Sequence, residues 1–267
     1  MLSFISCTDR EECAKRAALF LQQKITAAQQ ADGVCIVGLA GGRTPRGVYE
    51  EFGRMFRGAP HPTPLPMGEG NIRFFLVDER YVPVDHPESN QRMVRETLLQ
   101  HLSVPEAHIV FPDTSLPIDE CVADYTRRLK NMWAERLPHL IILGMGTDGH
   151  IASLFPPLSD FALGDERLVL HTRAPEGIGP PDVRDRITLS LNAICAADEQ
   201  LLLLQGEEKK RTWEEMLSSL SCRNGSLLHS SRVSDGQGGD EGEGRWPLKR
   251  VIATGNLTVM RPETATA

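Results

Sequence analysis

Asp148 and His150 stand two residues apart in a glycine-rich stretch, Gly144-Met-Gly-Thr-Asp-Gly-His150. A carboxylate that close can hold an imidazole in one tautomer and raise its basicity, which is the equipment of general acid–base catalysis. The plainer reading is a histidine that caps a helix or satisfies a buried carbonyl. The flanking glycines and the position just past an apolar run favour the chemical one, since residues at strand ends are more often placed for function than for packing. Gly41-Gly-Arg-Thr-Pro45 is a second candidate. Paired glycines let backbone N–H groups approach an anion, and a helix that starts there directs its positive end at it. A tight strand-to-helix turn explains the same residues about equally well. Asp78-Glu-Arg80 places three charges behind the apolar run 74–77, followed by Ser89-Asn90. Alone it reads more readily as a solvated loop, because charged residues are mostly exposed. Arg186, opening a β-rich run, and Lys209, after Gly206, each add a cation near a strand terminus, and singly each is a weak signal.

These residues need elements to hold them. Thr8 and Glu11 fit a capping box, and Cys13, Ala17, Phe20 and Leu21 recur at helical spacing, so a helix is predicted from about Thr8. A short β-rich run at 34–38 turns through the glycines into a helical pattern from Pro45 to about residue 56. The same grammar recurs at 72–77 with a helix from about Ser89, at 140–143 before the Asp148–His150 turn, and at 200–205 with a helix from about Glu207. Alternating strands and helices imply an open, mainly parallel twisted sheet with helices on both faces. A last short strand is predicted at 250–253. Residues 58–70, with prolines at 60, 62, 64 and 66, and residues 223–245, rich in glycine, serine and acid, interrupt the pattern and read as surface insertions. No repeat or composition shift marks a boundary, so one domain over 1–267 is expected. In such a sheet ligands bind outside the carboxyl ends of the strands, and every unusual motif falls at such an end.

The chain has 267 residues, 40% hydrophobic and 24% charged, the composition of an ordinary globular protein. A net charge of −7 argues against nucleic acid as a partner, so an anionic ligand would need a locally positive pocket. No apolar run approaches a membrane span, and the N-terminus lacks the layout of a secretory signal, so a cytoplasmic protein without membrane contact is expected. Six cysteines are scattered with no C-x-x-C pair, and reduced thiols are the default reading.

Taken in order, Gly-Gly-x-Thr-Pro at 41–45, Asp-Glu-Arg-x-Val-Pro at 78–83 with Ser89-Asn90, Leu-Gly-x-Gly-x-Asp-Gly-His at 143–150 running on to Pro156, Arg-x-Thr at 186–188 and Gly-x-x-Lys at 206–209 resemble the 6-phosphogluconolactonase family. The wider superfamily includes glucosamine-6-phosphate deaminase and ribose-5-phosphate isomerase. The resemblance covers nearly the whole chain. It implies a Rossmann-like three-layer α/β fold with a small additional β element and hydrolysis of a phosphosugar lactone, 6-phospho-D-glucono-1,5-lactone, in the oxidative pentose phosphate pathway. No metal and no cofactor are implied, and a monomer is expected. The resemblance also implies roles. His150 would activate water with Asp148 orienting it, and Arg80 would reach the substrate. Gly41, Gly42 and Thr44 would cradle the phosphate, with Arg186 and Lys209 as counter-charges. Arg43 stands where the family usually has serine, and either adds a phosphate contact or points away. Ile151 replaces the usual threonine, a mild exchange of β-branched residues. The isomerising deaminases carry a glutamate seven residues after the motif's aspartate, and here that position is Phe155, which transfers no proton. A phosphosugar sensor without chemistry would need the cradle but no base, and both Asp148 and His150 are present.

Overall fold

A computed structural model describes residues 2–55, 71–158, 166–221 and 246–262. Both expected insertions lie outside the described residues. The chain runs β1 (Ser3–Cys7), α1 (Arg10–Asp32), β2 (Cys35–Leu39), α2 (Arg43–Arg54), β3 (Ile72–Leu76), β4 (Asp78–Arg80), α3 (Asn90–Thr97), β5 (Ile109–Val110), α4 (Ile118–Met132) and β6 (Leu140–Gly144). It continues with β7 (Val169–Arg173), β8 (Asp185–Leu189), α5 (Leu191–Cys195), β9 (Glu199–Leu203), α6 (Glu207–Ser221), α7 (Pro247–Ala253) and β10 (Leu257–Pro262).

Seven strands form one parallel sheet in the order β1-β10-β9-β6-β2-β3-β5, and β4, β8 and β7 form a small antiparallel sheet beside it. Consecutive strand residues feed two separate cores, as the period of two requires. Val37, Phe74, Ile142 and Leu201 pack with α1, α2 and α3, whereas Ile36, Phe75, Ile141 and Leu202 pack with α4 to α7 and the small sheet. Runs of β-branched and aromatic residues buried on both faces explain why these strands read as continuous apolar segments. The expected sheet with helices on both faces is therefore present.

The strand order sets the site. From β2 the chain moves outward through β3 to β5, then returns to β6 on the other side of β2 and moves outward again. The loops that leave β2 and β6 diverge, opening a crevice at this switch point.

Local expectations are corrected in four places. The first helix is capped by Asp9, whose side chain accepts the Glu12 N–H, one residue later than the predicted start; Glu12 reaches back to the Thr8 N–H. Residues 250–253 are the end of helix α7, which opens on Pro247, and the last strand comes later at β10; the two adjacent β-branched residues there were too short a run to distinguish strand from buried helix. β1, unpredicted, takes the edge beside β10. Finally, Cys7 and Cys13 form a disulfide with Cα atoms 5.3 Å apart, where reduced thiols were expected; their meeting across the β1–α1 turn follows from the fold rather than from their spacing.

Candidate active site

The β2–α2 turn is shaped by what its glycines lack. A Cβ on Gly41 would lie 1.9 Å from Asn90 Oδ1, so only glycine allows α3 to pack this closely. Gly42 caps α2 at φ 97°, a conformation that favours glycine, and contributes no side-chain bond to the helix. The amides of Arg43 and Thr44 therefore face no side-chain cap, the arrangement that suits an anion.

The turn after β6 is folded on itself. Gly146 N–H donates to the His150 carbonyl at 2.8 Å, and a Cβ on Gly146 would sit 2.3 Å from the His150 ring and from Asp148. Gly149, at φ 85°, lies against the Trp246 ring, where a Cβ would approach to 2.2 Å. This compression brings His150 Nδ1 to 2.5 Å from Asp148 Oδ1. With the carboxylate on Nδ1, that nitrogen carries the proton and Nε2 is left as the basic one. Burial works to raise the Asp148 pKa, but the hydrogen bond and charge of His150 outweigh it and hold the carboxyl below its ordinary value. Phe155 packs its ring 4.8 Å from the imidazole.

β4 continues past β3 into the small sheet and carries Asp78, Glu79 and Arg80. Glu79 is fully buried and accepts from the N–H groups of Arg80 (2.7 Å), Asn90 (2.7 Å) and Gln91 (2.8 Å) and from Ser89 Oγ (3.2 Å). Burial pushes its pKa up to about 7 against those hydrogen bonds and the charge of Arg80. It ties β4 to the start of α3, which in turn backs Gly41. Arg80 donates through Nη1 to the Glu88 carbonyl at 2.7 Å.

These turns enclose a cleft of about 470 Å³ whose wall includes Gly41, Gly42, Arg43, Thr44, Arg80, His150 and Lys209. Seven residues singled out in the sequence thus meet around one space, with Asp148 behind the imidazole. Lys209 comes from the first turn of α6. Burial lowers its pKa first, and the neighbouring charges of Arg43 and Arg10 lower it further. Arg186 is placed differently. It is 4% exposed and is not on the cleft wall; its Nη1 donates to the carbonyls of Val183 (2.6 Å) and Asp185 (3.1 Å), and its backbone pairs with that of Arg80. Burial, then the charge of Arg80, lowers its pKa.

Asp78, in the sequence one of three charges that read more readily as a solvated loop and given no role there, lies on the cleft wall. Arg10 had no reading in the sequence; it donates to the Arg43 carbonyl at 3.4 Å. A cation in the first turn of a helix opposes the macrodipole, and that mismatch was the signal for it. Among the described residues no cluster of histidine, cysteine and acid could hold a metal, and no helix is long and apolar enough to cross a membrane.

Comparison with known proteins places the chain in a family. The family model described as glucosamine-6-phosphate isomerases/6-phosphogluconolactonase matches residues 8–239. The chain is 30% identical to a Dictyostelium discoideum protein named probable 6-phosphogluconolactonase, over 95% of this chain and 93% of that one. It is 36% identical to a 6-phosphogluconolactonase of Thermotoga maritima over 71% of this chain and 77% of the other. The solved structure of 6-phosphogluconolactonase from Plasmodium vivax superposes with a TM-score of 0.79 at 26% identity, covering 98% of this chain and 91% of that one.

Proposed function

The chain belongs to the glucosamine-6-phosphate isomerase/6-phosphogluconolactonase family, and from that premise we propose that it hydrolyses 6-phospho-D-glucono-1,5-lactone to 6-phosphogluconate. The observation that carries this reading is an imidazole fixed through Nδ1 by Asp148 on the wall of a cleft that also holds Arg43, Lys209 and the uncapped turn at Gly42. A phosphate is a dianion, and two cations with free amides at a helix start are its natural counterpart.

In this reading Gly41, Gly42, Thr44, Arg43 and Lys209 hold the phosphate. Arg186, one strand behind Arg80, adds positive charge rather than a contact. Nε2 of His150 takes a proton from water as its oxygen bonds to C1, and the carbonyl electrons move onto oxygen. Arg80, whose guanidinium retains donors beyond the one used by Glu88, stabilises that oxyanion. Collapse breaks the bond from C1 to the ring oxygen, which receives the proton back from His150. The reaction needs no covalent intermediate with the protein. Phe155, packed on the imidazole, favours this chemistry over isomerising deamination, which needs a proton-transferring group there.

Freshly generated lactone, with spontaneous hydrolysis subtracted, provides the test. Wild-type turnover that falls to background in His150→Ala is the expected result. Release of ammonia from glucosamine 6-phosphate with no lactone opening would move the assignment to the other branch of the family.

A further inference from the structure

Resting on that reading, we propose that Asp78 is the specificity-determining acceptor for a hydroxyl of the sugar ring. Asp78 is 8% exposed and lies on the cleft wall. Among the described residues the other acid on that wall is Glu88, whose side chain is 39% exposed and faces Arg80. A buried carboxylate beside a phosphate site works against binding an anion, since like charges repel at short range. The charge of Arg186 offsets part of this cost, and the acceptor capacity left over calls for a donor from the ligand. Arginine, lysine and backbone amides only donate hydrogen bonds, whereas the lactone ring of the proposed substrate presents three hydroxyls at C2, C3 and C4 that need acceptors. Asp78 supplies a buried charged acceptor on this donor-rich wall, whose other acid among the described residues is turned to Arg80.

The carboxylate is also held in place. Ser153 Oγ donates to its Oδ2 at 2.7 Å and Asn90 Nδ2 donates to its main-chain carbonyl at 2.9 Å, while Oδ1 has no partner among the described residues. Ser153 is fixed in turn by Thr188 Oγ1, which accepts its N–H at 3.2 Å, and by Thr172 Oγ1, which donates to its carbonyl at 2.8 Å. The preceding residue, Ala152, adopts φ 50°, a left-handed conformation unusual for a residue with a Cβ. Such strain is kept only where the surroundings dictate it. Here it turns the chain two residues after the imidazole so that Ser153 meets Asp78, and a single oxygen remains to read the substrate.

Asp78→Asn keeps the shape and an acceptor for Ser153 while removing the charge. With the parent lactone, kcat/KM should fall about 10- to 100-fold, the worth of a hydrogen bond to a charged group. The experiment repeats the comparison with the 2-deoxy, 3-deoxy and 4-deoxy lactones. For one of them the wild-type to variant ratio should collapse towards one, because the same hydrogen bond is removed only once. An undiminished ratio with all three would leave Asp78 a purely structural part and overturn the proposal, as would an equal loss of affinity for inorganic phosphate. Ser153→Ala, which only releases the carboxylate, should show the same pattern at smaller size and serves if the asparagine variant does not fold. Calorimetry with 6-phosphogluconate and its deoxy forms runs the cycle without turnover. A wild-type chain inactive on the lactone would therefore sink the assigned reaction while leaving the role of Asp78 separately decided.

Discussion

Strand β6 has a histidine–aspartate pair at each end, and the two pairs do different work. At the amino end His139 accepts the Ile36 N–H on Nδ1 at 3.0 Å and meets Asp32 through Nε2 at 2.9 Å. Both ring nitrogens are occupied and the side chain is 8% exposed. Arg136 joins the same cluster, bridging Asp32 and Asp198. At the carboxyl end His150 has one nitrogen on Asp148 and its ring on a cleft, beside Arg43 and Lys209, which form no ion pair with an acid among the described residues. The same residue types make a clamp in one place and a candidate base in the other. What separates them is a ring nitrogen unclaimed among the described residues, next to a space that a ligand can enter.

The comparison breaks most decisively at its histidines. His150→Ala should cost about 10²–10⁴ in kcat with little change in the thermal midpoint; near-normal turnover would remove the distinction altogether. Titration of stability separates the two ends next. Glu79, near the carboxyl end, has a folded pKa of about 7 against an ordinary 4.5. Its favourable contribution is complete below about 4.5 and lost as pH rises through 7, a change on the order of 3 kcal/mol. Asp32, at the amino end, is held below its ordinary value by His139 and then Arg136, so its contribution is present at neutral pH and lost on acidification. Denaturant unfolding from pH 4 to 8 should show a decline towards pH 7 that Glu79→Gln flattens. An unchanged slope in that variant would assign the decline elsewhere.

Lys209→Ala should raise KM about 10- to 100-fold while kcat holds, the signature of lost binding common to ground and transition states. A fall in kcat alone would contradict a phosphate-holding part. The smallest effect belongs to the amino end. His139→Ala strips the buried Ile36 N–H of its acceptor and should cost about 1–3 kcal/mol of stability with turnover per folded molecule unchanged. Loss of activity without loss of stability there would erase the contrast between the pairs.

Much of this was legible in the residues. Strand, glycine turn and helix recur with their caps, and Ser89 caps α3 where the pattern placed it. The Gly41–Pro45 turn and the Asp148–His150 pair are local, so nearest-neighbour spacing reveals them. The features that went unread are non-local. Residues 250–253 read as strand because a short apolar run has no period of its own, and only packing against α5 makes them helix. Asp78 and Arg80 belong to a second sheet whose partner strand β8 lies about a hundred residues on, a pairing that no window along the chain detects.

The order of side chains along the chain determined the alternating α/β layers, the glycine turns and the residues fit for acid–base and anion chemistry, because backbone preference and hydrophobic period act over a few residues. Tertiary structure alone decided that β2 and β6 are neighbours, that Arg186 turns to backbone carbonyls while Asp78 reaches the cleft, and that Cys7 meets Cys13. Those outcomes depend on which distant surfaces bury one another, and that choice is made by the packing of the whole core.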